Sequence, residues 1–196
     1  MFIYYINNKM NINHEKYNLY LNISNNWPLD DWSITKECFD KIVEILPFDK
    51  TILEIGSGNS TNILSIFYNL ISIESNEEWM NKYNSEYHLI PLKKITSSYF
   101  GDTNWLDPDL LFSSIKDKKY DMLIVDAGGD RVGIIDYINL FNQNIPIIFD
   151  DTMDNNYLKC ATLTASILGK SCTTFNCLPN KYAVTWFDGK KFSLIS

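Results

Sequence analysis

The residues with the clearest chemical potential lie in the stretch TILEIGSGNST, from Thr51 to Thr61. A short apolar run leads there into a turn that holds Gly56 and Gly58 among hydroxyl side chains. Glycines let a main chain approach a ligand closely, and the amides that open a following helix can face that ligand. The pattern predicts a strand, a ligand-binding turn and a helix. It also occurs where glycines only turn the chain.

Several ligands compete for such a turn. A P-loop is excluded because the chain has no G-x-x-x-x-G-K-[ST] motif. A dinucleotide site is closer, since Glu74 ends the next apolar run where an acidic residue would hold ribose hydroxyls. Thr61, however, stands where G-x-G-x-x-G has its third glycine. A β-branched residue there disfavours the tight packing of helix on strand that a dinucleotide fold needs.

Glu54, two residues before the first glycine, distinguishes the remaining ligands. A carboxylate aimed at a pyrophosphate would repel it, whereas the α-amino group of S-adenosylmethionine offers the opposite charge. That cofactor carries no phosphate and is cationic at sulfur and amine. The motif E-x-G-x-G, followed by the acidic strand end at Glu74, therefore favours S-adenosylmethionine over NAD. An orientation of Glu54 toward solvent stays open.

Three aspartates form a second reactive group: Asp126 ends the run YDMLIVD, and Asp150 and Asp151 end IPIIFDD. If both runs are parallel strands, these carboxylates meet at one edge of the sheet. Such a cluster is unfavourable unless it binds a cation or shares protons. Capping of the next helix by Asp150 or Asp151 is the structural alternative, and Asp126 could line a pocket without a metal.

Further candidates for substrate contact lie nearby in sequence. In AGGDR, Asp130 and Arg131 could position a polar or anionic acceptor, or pair with each other at the start of a helix. Trp32, Tyr99 and Trp105 could roof an acceptor pocket, although a single aromatic residue more often belongs to a core.

Histidine and cysteine chemistry is disfavoured. His14 lies in an N-terminal segment and His88 at the wrong end of a strand, so neither is a preferred base. The cysteines show no C-x-x-C spacing, which disfavours a zinc site and predicts four reduced thiols: Cys38, Cys160, Cys172 and Cys177.

The elements that must position these groups alternate along the chain. Apolar runs predict strands buried on both faces of a parallel sheet at 51–55, 70–74, 88–92, 120–126 and 145–150. Helical spacing predicts helices at 61–68, 77–83, 131–141 and 157–168, and another within WSITKECFDKIVEIL after an N-cap at Ser33. This alternation indicates βαβ units in an open α/β sheet.

Two other segments do not follow this alternation of strands and helices. CTTFNC and KYAVTWF, with the Asp-Gly turn signal of WFDGKKF, predict antiparallel strands at the end of the chain. Residues 93–119 show no clear element and are predicted to form a long loop, of a kind that is often functional.

Length and composition limit the number of domains and the kinds of partner. A chain of 196 residues fits one domain. With 24 acidic against 17 basic residues the net charge is -7, so a nucleic acid partner is not expected, and KDKK and GKK read as solvated turns. The chain shows neither a signal-peptide pattern nor an apolar run of membrane-spanning length, so a cytoplasmic protein without a membrane partner is expected.

In order and spacing, LEIGSGNST, SIESNEEW, YDMLIVDAGGDR and IIFDD resemble the class I S-adenosylmethionine-dependent methyltransferases. The resemblance implies an α/β fold: a Rossmann-like, mostly parallel seven-stranded sheet with helices on both faces and an antiparallel C-terminal strand pair. It implies one domain, with an N-terminal extension over 1–31, a cofactor-binding core over 32–151, and a C-terminal helix and antiparallel strands over 152–196.

The resemblance also implies cofactor contacts. The adenine would border residues 92–95, and the remaining contacts are assigned as follows: Glu54, Gly56, Ser57 and Gly58 to the methionine part, Ser60 and Thr61 to that part or to capping of the helix, Glu74 to the ribose hydroxyls, Ser75 or Asn76 to the adenine, and Asp126 to the pocket wall.

The implied reaction is methyl transfer to an oxygen of a small molecule or sugar. Asp126, Asp150 and Arg131 are the predicted catalytic residues. By analogy with the metal-dependent O-methyltransferases, Asp126, Asp150 and Asp151 would bind Mg²⁺, which would hold acceptor oxygens and lower the acceptor pKa. N-methyl transfer, a non-catalytic protein that binds adenosylmethionine or a nucleoside, and a nicotinamide enzyme are the alternatives.

Overall fold

The structure is a computed structural model that describes residues 14–27, 33–126, 130–177 and 190–196. Some sequence predictions lie outside these residues. They concern Trp32 as a pocket residue, the strand KYAVTWF at 181–187, and the Asp-Gly turn at 188–189.

Nine described strands form two sheets. Their bounds are Thr51–Ile55 (β1), Asn69–Glu74 (β2), Glu86–Leu89 (β3), Leu92–Ser97 (β4), Gly101–Leu106 (β5), Met122–Val125 (β6), Ile147–Phe149 (β7), Cys172–Asn176 (β8) and Lys191–Ile195 (β9). Seven of them build the main sheet in the spatial order β3-β2-β1-β6-β7-β9-β8, and β4 pairs with β5 in a separate hairpin. The pairs among β1, β2, β3, β6 and β7 are parallel, whereas β9 is antiparallel to both β7 and β8. The predicted fold class is confirmed.

Six α-helices lie among the described residues. Their bounds are His14–Asn25 (α1), Lys36–Ile45 (α2), Asn59–Phe67 (α3), Pro108–Ile115 (α4), Ile134–Tyr137 (α5) and Asn155–Leu168 (α6). Short 3-10 turns lie at Glu77–Trp79, Arg131–Gly133 and Ile138–Leu140. The N-cap of α2 is Thr35, whose side chain accepts a hydrogen bond from the Cys38 amide at 3.2 Å, so the prediction of Ser33 was wrong.

Apolar side chains cover the main sheet on both faces, as the unbroken apolar runs predict. Along β1, Ile52 points into one layer while Leu53 and Ile55 point into the other. The layer of Ile52 contains residues of α2 and α3, such as Phe39 and Leu64. The opposite layer contains residues of α4, α5 and α6: Leu111, Ile134 and Ala161.

Two predicted elements are wrong around the second and third strands. The helix expected at 77–83 is only the 3-10 turn Glu77–Trp79, and Asn81 has a left-handed backbone (φ 58°) that ends helical propagation. The strand expected at 88–92 is split into β3 and β4. Pro91, which has no N–H to donate to a ladder, lies between them.

The segment 93–119 is not a long loop. It contains β4, β5 and α4, and Asp107 caps α4 by accepting hydrogen bonds from the amides of Asp109 and Leu110. Arg131–Phe141 is likewise not one helix, since two 3-10 turns flank the four-residue α5. Many residues of the hairpin are exposed, so they lack the continuous apolar run that marks the buried strands.

The hairpin is anchored by Trp105, which is 1% exposed. Its predicted role as a pocket roof is wrong, because it packs in the core against Gly133. A methyl group on Gly133 would lie 2.6 Å from Cβ and Cγ of Trp105. Asp130 adds polar contacts with the hairpin. Its Oδ2 accepts hydrogen bonds from the Thr103 hydroxyl and, at 3.2 Å, from the Asn104 amide. The hairpin therefore holds the turn that carries Arg131.

Two further expectations concern the whole chain. All four cysteines are unpaired, as predicted. Among the described helices, none has the length and apolar content that a bilayer crossing requires. Cytoplasmic location and the three-part division of the chain stay predictions, although β8 and β9 belong to the same sheet as β1.

We predict that Gly133→Ala destabilises the fold by about 1–3 kcal/mol, because the added methyl overpacks against Trp105 in the core. Urea unfolding measures the loss. Gly58→Ala is the matched control, since a methyl there meets no atom within 4 Å, and it is expected to have the smaller effect. Equal losses in the two variants would show that Trp105 does not constrain position 133.

Candidate functional site

The predicted site residues converge at the carboxyl edge of the parallel strands. The glycine turn follows β1, Glu74 ends β2, Asp126 follows β6 and Asp150 follows β7. Main-chain hydrogen bonds continue past the strand ends, from the Asp126 amide to Ile55 O at 2.9 Å and from the Asp150 amide to Val125 O at 3.1 Å. The sheet thus positions both the turn and the aspartates.

The turn after β1 is closed by its own hydrogen bonds. Gly56 has φ 89°, a conformation that favours glycine, and its amide donates to Ile73 O at 2.8 Å. The Gly58 amide donates to Thr61 Oγ1 at 3.0 Å, and the Thr61 amide donates back to Gly58 O at 3.0 Å. Thr61 therefore caps α3, as the resemblance implied. The Ser60 hydroxyl accepts a hydrogen bond from the Ile34 amide at 2.9 Å, and its predicted cofactor contact stays a prediction.

Glu54 lies beneath this turn and is 3% exposed, so the open possibility that it faces solvent is excluded. Its Oε1 accepts hydrogen bonds from Thr61 Oγ1, at 2.8 Å, and from the hydroxyl of Ser72, its neighbour across the β1–β2 pair. Burial raises the pKa of Glu54 to about 7, while the two hydroxyls lower it and Glu74 raises it further. The predicted contact with a cofactor ammonium group stays a prediction.

Glu74 joins the turns after β1 and β2. Its Oε2 accepts hydrogen bonds from the Ser57 amide at 2.8 Å and the Ser57 hydroxyl at 3.2 Å. Its Oε1 accepts from the amides of Ser75 at 2.7 Å and Asn76 at 2.8 Å. The carboxylate is 7% exposed and fixed by three main-chain donors. The Ser57 hydroxyl, which can rotate away, is the donor that a ligand hydroxyl can most easily replace.

The three aspartates form the expected cluster, with one carboxylate oxygen of each within 4.8 Å of the others. Asp150 is 1% exposed, whereas the side chains of Asp126 and Asp151 are 21% and 26% exposed. Capping of the next helix by Asp150 or Asp151 is wrong, because Asp154 caps α6 by accepting hydrogen bonds from the amides at 156 and 157.

Arg131 lies inside this cluster. Its Nη2 donates to Asp126 Oδ1 at 3.0 Å and to Asp151 Oδ2 at 2.8 Å, and its Nη1 donates to the Asp150 carbonyl at 2.9 Å. The guanidinium also stands 4.9 Å from the ring centre of Tyr157. Arg131 is 7% exposed. The structure thus pairs it with Asp126 and Asp151 rather than with Asp130, and its predicted contact with an acceptor stays a prediction.

Neighbouring aspartates also change one another's pKa. Burial raises the pKa of Asp126 well above its ordinary value, and Asp150 raises it further while Arg131 lowers it. Burial and the charge of Asp151 raise the pKa of Asp150 to about 6. Asp150 Oδ1 is buried and accepts no hydrogen bond from the residues that the structure describes.

Two residues of the site were not predicted from the sequence. Lys190, assigned to a solvated turn, is a partly buried cation: its Nζ donates to Ser33 O at 2.9 Å and stands 3.8 Å from Asp151 Oδ1. Ser72, the hydroxyl donor to Glu54, was read only as part of an apolar strand. A single polar residue inside a buried strand was the available signal for Ser72. No local signal marks Lys190.

Known structures share this architecture. The structure is similar to that of a precorrin 8w decarboxylase from Methanobacterium thermoautotrophicum, with a TM-score of 0.52 and 16% identity, covering 86% of this chain and 91% of that chain. It is also similar to cofactor-bound Rv0187 from MTB (TM-score 0.54, 12% identity, 97% and 93% covered) and to a precorrin-6y C5,15-methyltransferase from Geobacter metallireducens GS-15 (TM-score 0.49, 13% identity, 85% and 91% covered). No family model and no curated protein matches the sequence.

At these identities the likeness establishes the fold and leaves the reaction open. The chain has a Rossmann-like α/β fold with a mostly parallel seven-stranded sheet. The parallel strands, the antiparallel β9 and the turn after β1 all fit that fold.

We predict that Glu54→Gln flattens the dependence of stability on pH. The folded pKa of about 7 lies above the ordinary value of 4.5, so the folded protein binds the proton more tightly. Its stability therefore falls as pH rises from about 4.5 through about 7. The variant should be more stable than the wild type well above pH 7, by about 3 kcal/mol.

Urea unfolding across this pH range checks the prediction. Asp150, whose pKa is also raised, leaves part of the slope in place. Glu78→Gln, at an exposed position of the next turn, serves as the control and should follow the wild type. Parallel curves for Glu54→Gln and the wild type would contradict the raised pKa.

Proposed function

We propose that the protein is an S-adenosylmethionine-dependent methyltransferase. The observation that carries this proposal is the hydrogen bonding of the glycine turn. The amides of Gly56, Ser57 and Gly58 donate to Ile73 O, Glu74 Oε2 and Thr61 Oγ1. A dinucleotide site would direct such amides at a pyrophosphate. A turn whose amides are already engaged, between the carboxylates of Glu54 and Glu74, suits a ligand that has no phosphate and carries positive charge.

Glu74 is the residue best placed to bind the cofactor ribose. Its two oxygens are held at the mouth of the turn by the amides of residues 57, 75 and 76. A carboxylate fixed in this way can accept a hydrogen bond from a ribose hydroxyl, in place of the Ser57 hydroxyl, with no further loss of side-chain freedom. Ser57 would border the methionine part and Ser75 the adenine.

Bound S-adenosylmethionine would supply an activated methyl group, and the chain would align an acceptor beside it and keep water away. For an oxygen acceptor, a nearby carboxylate can also take up the proton. Asp126 and Asp151 are the partly exposed members of the aspartate cluster, whereas Asp150 is buried. We therefore assign proton acceptance to Asp126 or Asp151, and structural support to Asp150 and Arg131.

The partly exposed carboxylates favour methylation of a hydroxyl on a small molecule or sugar over N-methylation, which needs no base. A protein that binds the cofactor without catalysis would have no use for them. We infer a small polar acceptor and no metal participation, since Arg131 already supplies positive charge among the aspartates.

A cofactor measurement tests the proposal. S-adenosylmethionine and its demethylated product should raise the melting temperature of the wild-type protein, since both bind the folded state, while NAD should not. Stabilisation by NAD alone would overturn the cofactor assignment. Methyl transfer from labelled cofactor to a panel of hydroxyl and amine compounds then separates an enzyme from a binding protein.

Glu74→Ala should weaken binding of the demethylated cofactor by about 10- to 100-fold, because charge-assisted hydrogen bonds to the ribose are lost. Calorimetry measures the change in affinity. Glu78→Ala removes an exposed carboxylate four residues further on, and it should bind like the wild type. An unchanged affinity in Glu74→Ala would remove the ribose role from this residue.

A further inference from the structure

The aspartate cluster has the composition of a divalent cation site. Asp126, Asp150 and Asp151 each bring a carboxylate oxygen within 4.8 Å of the others, and oxygen is the ligand that Mg²⁺ and Mn²⁺ prefer. Asp150 Oδ1 is buried and has no hydrogen-bond partner among the described residues. These features call for a positive charge at the centre of the cluster.

The structure already holds a cation there. The Arg131 guanidinium is bonded to Asp126 and Asp151 through one nitrogen and to the Asp150 carbonyl through the other. Its side chain is 9% exposed, so it is part of the interior and not a surface arm that swings through solvent. Two of the three carboxylates that a metal would need therefore already have an oxygen bonded to the guanidinium.

The formal charges of the cluster also argue against a divalent ion beside Arg131. The three carboxylates face two cations, Arg131 and Lys190, whose Nζ is 3.8 Å from Asp151. A divalent ion added to this set would leave an excess of positive charge and would lie against the guanidinium. With Arg131 removed, the same ion would balance the remaining charges. The cluster in its native form thus accommodates an arginine or a divalent ion, but not both.

Contacts with neighbouring elements also fix the position of Arg131. Its turn begins after Asp130, which is bonded to Thr103 and Asn104 of the hairpin. The turn ends at Gly133, against which Trp105 packs. The Tyr157 ring lies 4.9 Å from the guanidinium. These contacts come from two elements, β5 and α6, so moving the arginine out to admit a metal would disturb both.

We infer that Arg131 is a resident cation that takes the place of a divalent metal, so that the aspartate cluster works without one. Arg131 is thus a positioning residue that fixes Asp126 and Asp151. It is also the residue that determines the cation preference of the site. The inference concerns the same site as the proposed methyl transfer, but its test needs neither cofactor nor acceptor.

Manganese titration of the full chain tests the inference. Loss of the free Mn²⁺ paramagnetic resonance signal counts bound ions, and the melting temperature reports their effect on folding. The wild type should show no saturable binding. Arg131→Ala should bind one Mn²⁺ and gain melting temperature with it, and Arg131→Ala combined with Asp150→Asn should bind it at least about tenfold more weakly.

Each opposite result overturns the inference. Saturable binding by the wild type that Asp150→Asn abolishes would show a metal site beside the arginine. Arg131→Ala that binds no more Mn²⁺ than the wild type would show that the cluster is not built for a divalent ion. If Arg131→Ala does not fold without metal, Mn²⁺ is expected to restore folding on dilution from urea, and failure to do so also counts against the inference. Failure of methyl transfer would leave all of these results unchanged.

Discussion

The whole site depends on keeping five carboxylates together at one edge of a sheet. Glu54, Glu74 and Asp150 are buried, and Asp126 and Asp151 are partly exposed beside them. A buried carboxylate is unfavourable unless hydrogen bonds or an opposite charge compensate it. Each of these groups therefore determines part of the surrounding chain: the closure of the glycine turn, the position of Arg131 and the inward direction of Lys190.

The hairpin β4–β5 supports the turn that carries Arg131. It lies outside the main sheet, yet Trp105 and Thr103 connect it to the turn that carries Arg131. A buried guanidinium must be held by its backbone as well as by its partners, because its long side chain can adopt many rotamers. The hairpin supplies that support. Changes at Gly133 are thus expected to reach the aspartates through Arg131.

The extent to which sequence predicts this protein varies with the kind of signal. The buried strands were predictable because both of their faces are apolar. Glu74 was found because it ends such a strand, and Asp126 because it directly follows one. The hairpin strands expose many of their residues, so the segment resembled a loop. The role of Arg131 could not be read from sequence, since one of its partners is five residues away and the other twenty. Lys190 escaped for the same reason.

The two halves of the site are compensated by different means, and this difference bears on what each can bind. Glu74 is held by neutral amides and hydroxyls, which fix the carboxylate and leave its formal charge unbalanced. Glu54, with a pKa of about 7, is compensated within the described part of the chain by the hydroxyls of Thr61 and Ser72 alone. The aspartates instead face the formal charges of Arg131 and Lys190. A cationic ligand therefore gains most at the glycine turn, where the negative charge has no cation of its own among the residues described. The aspartate half, already supplied with cations, is left to receive a neutral acceptor and its proton.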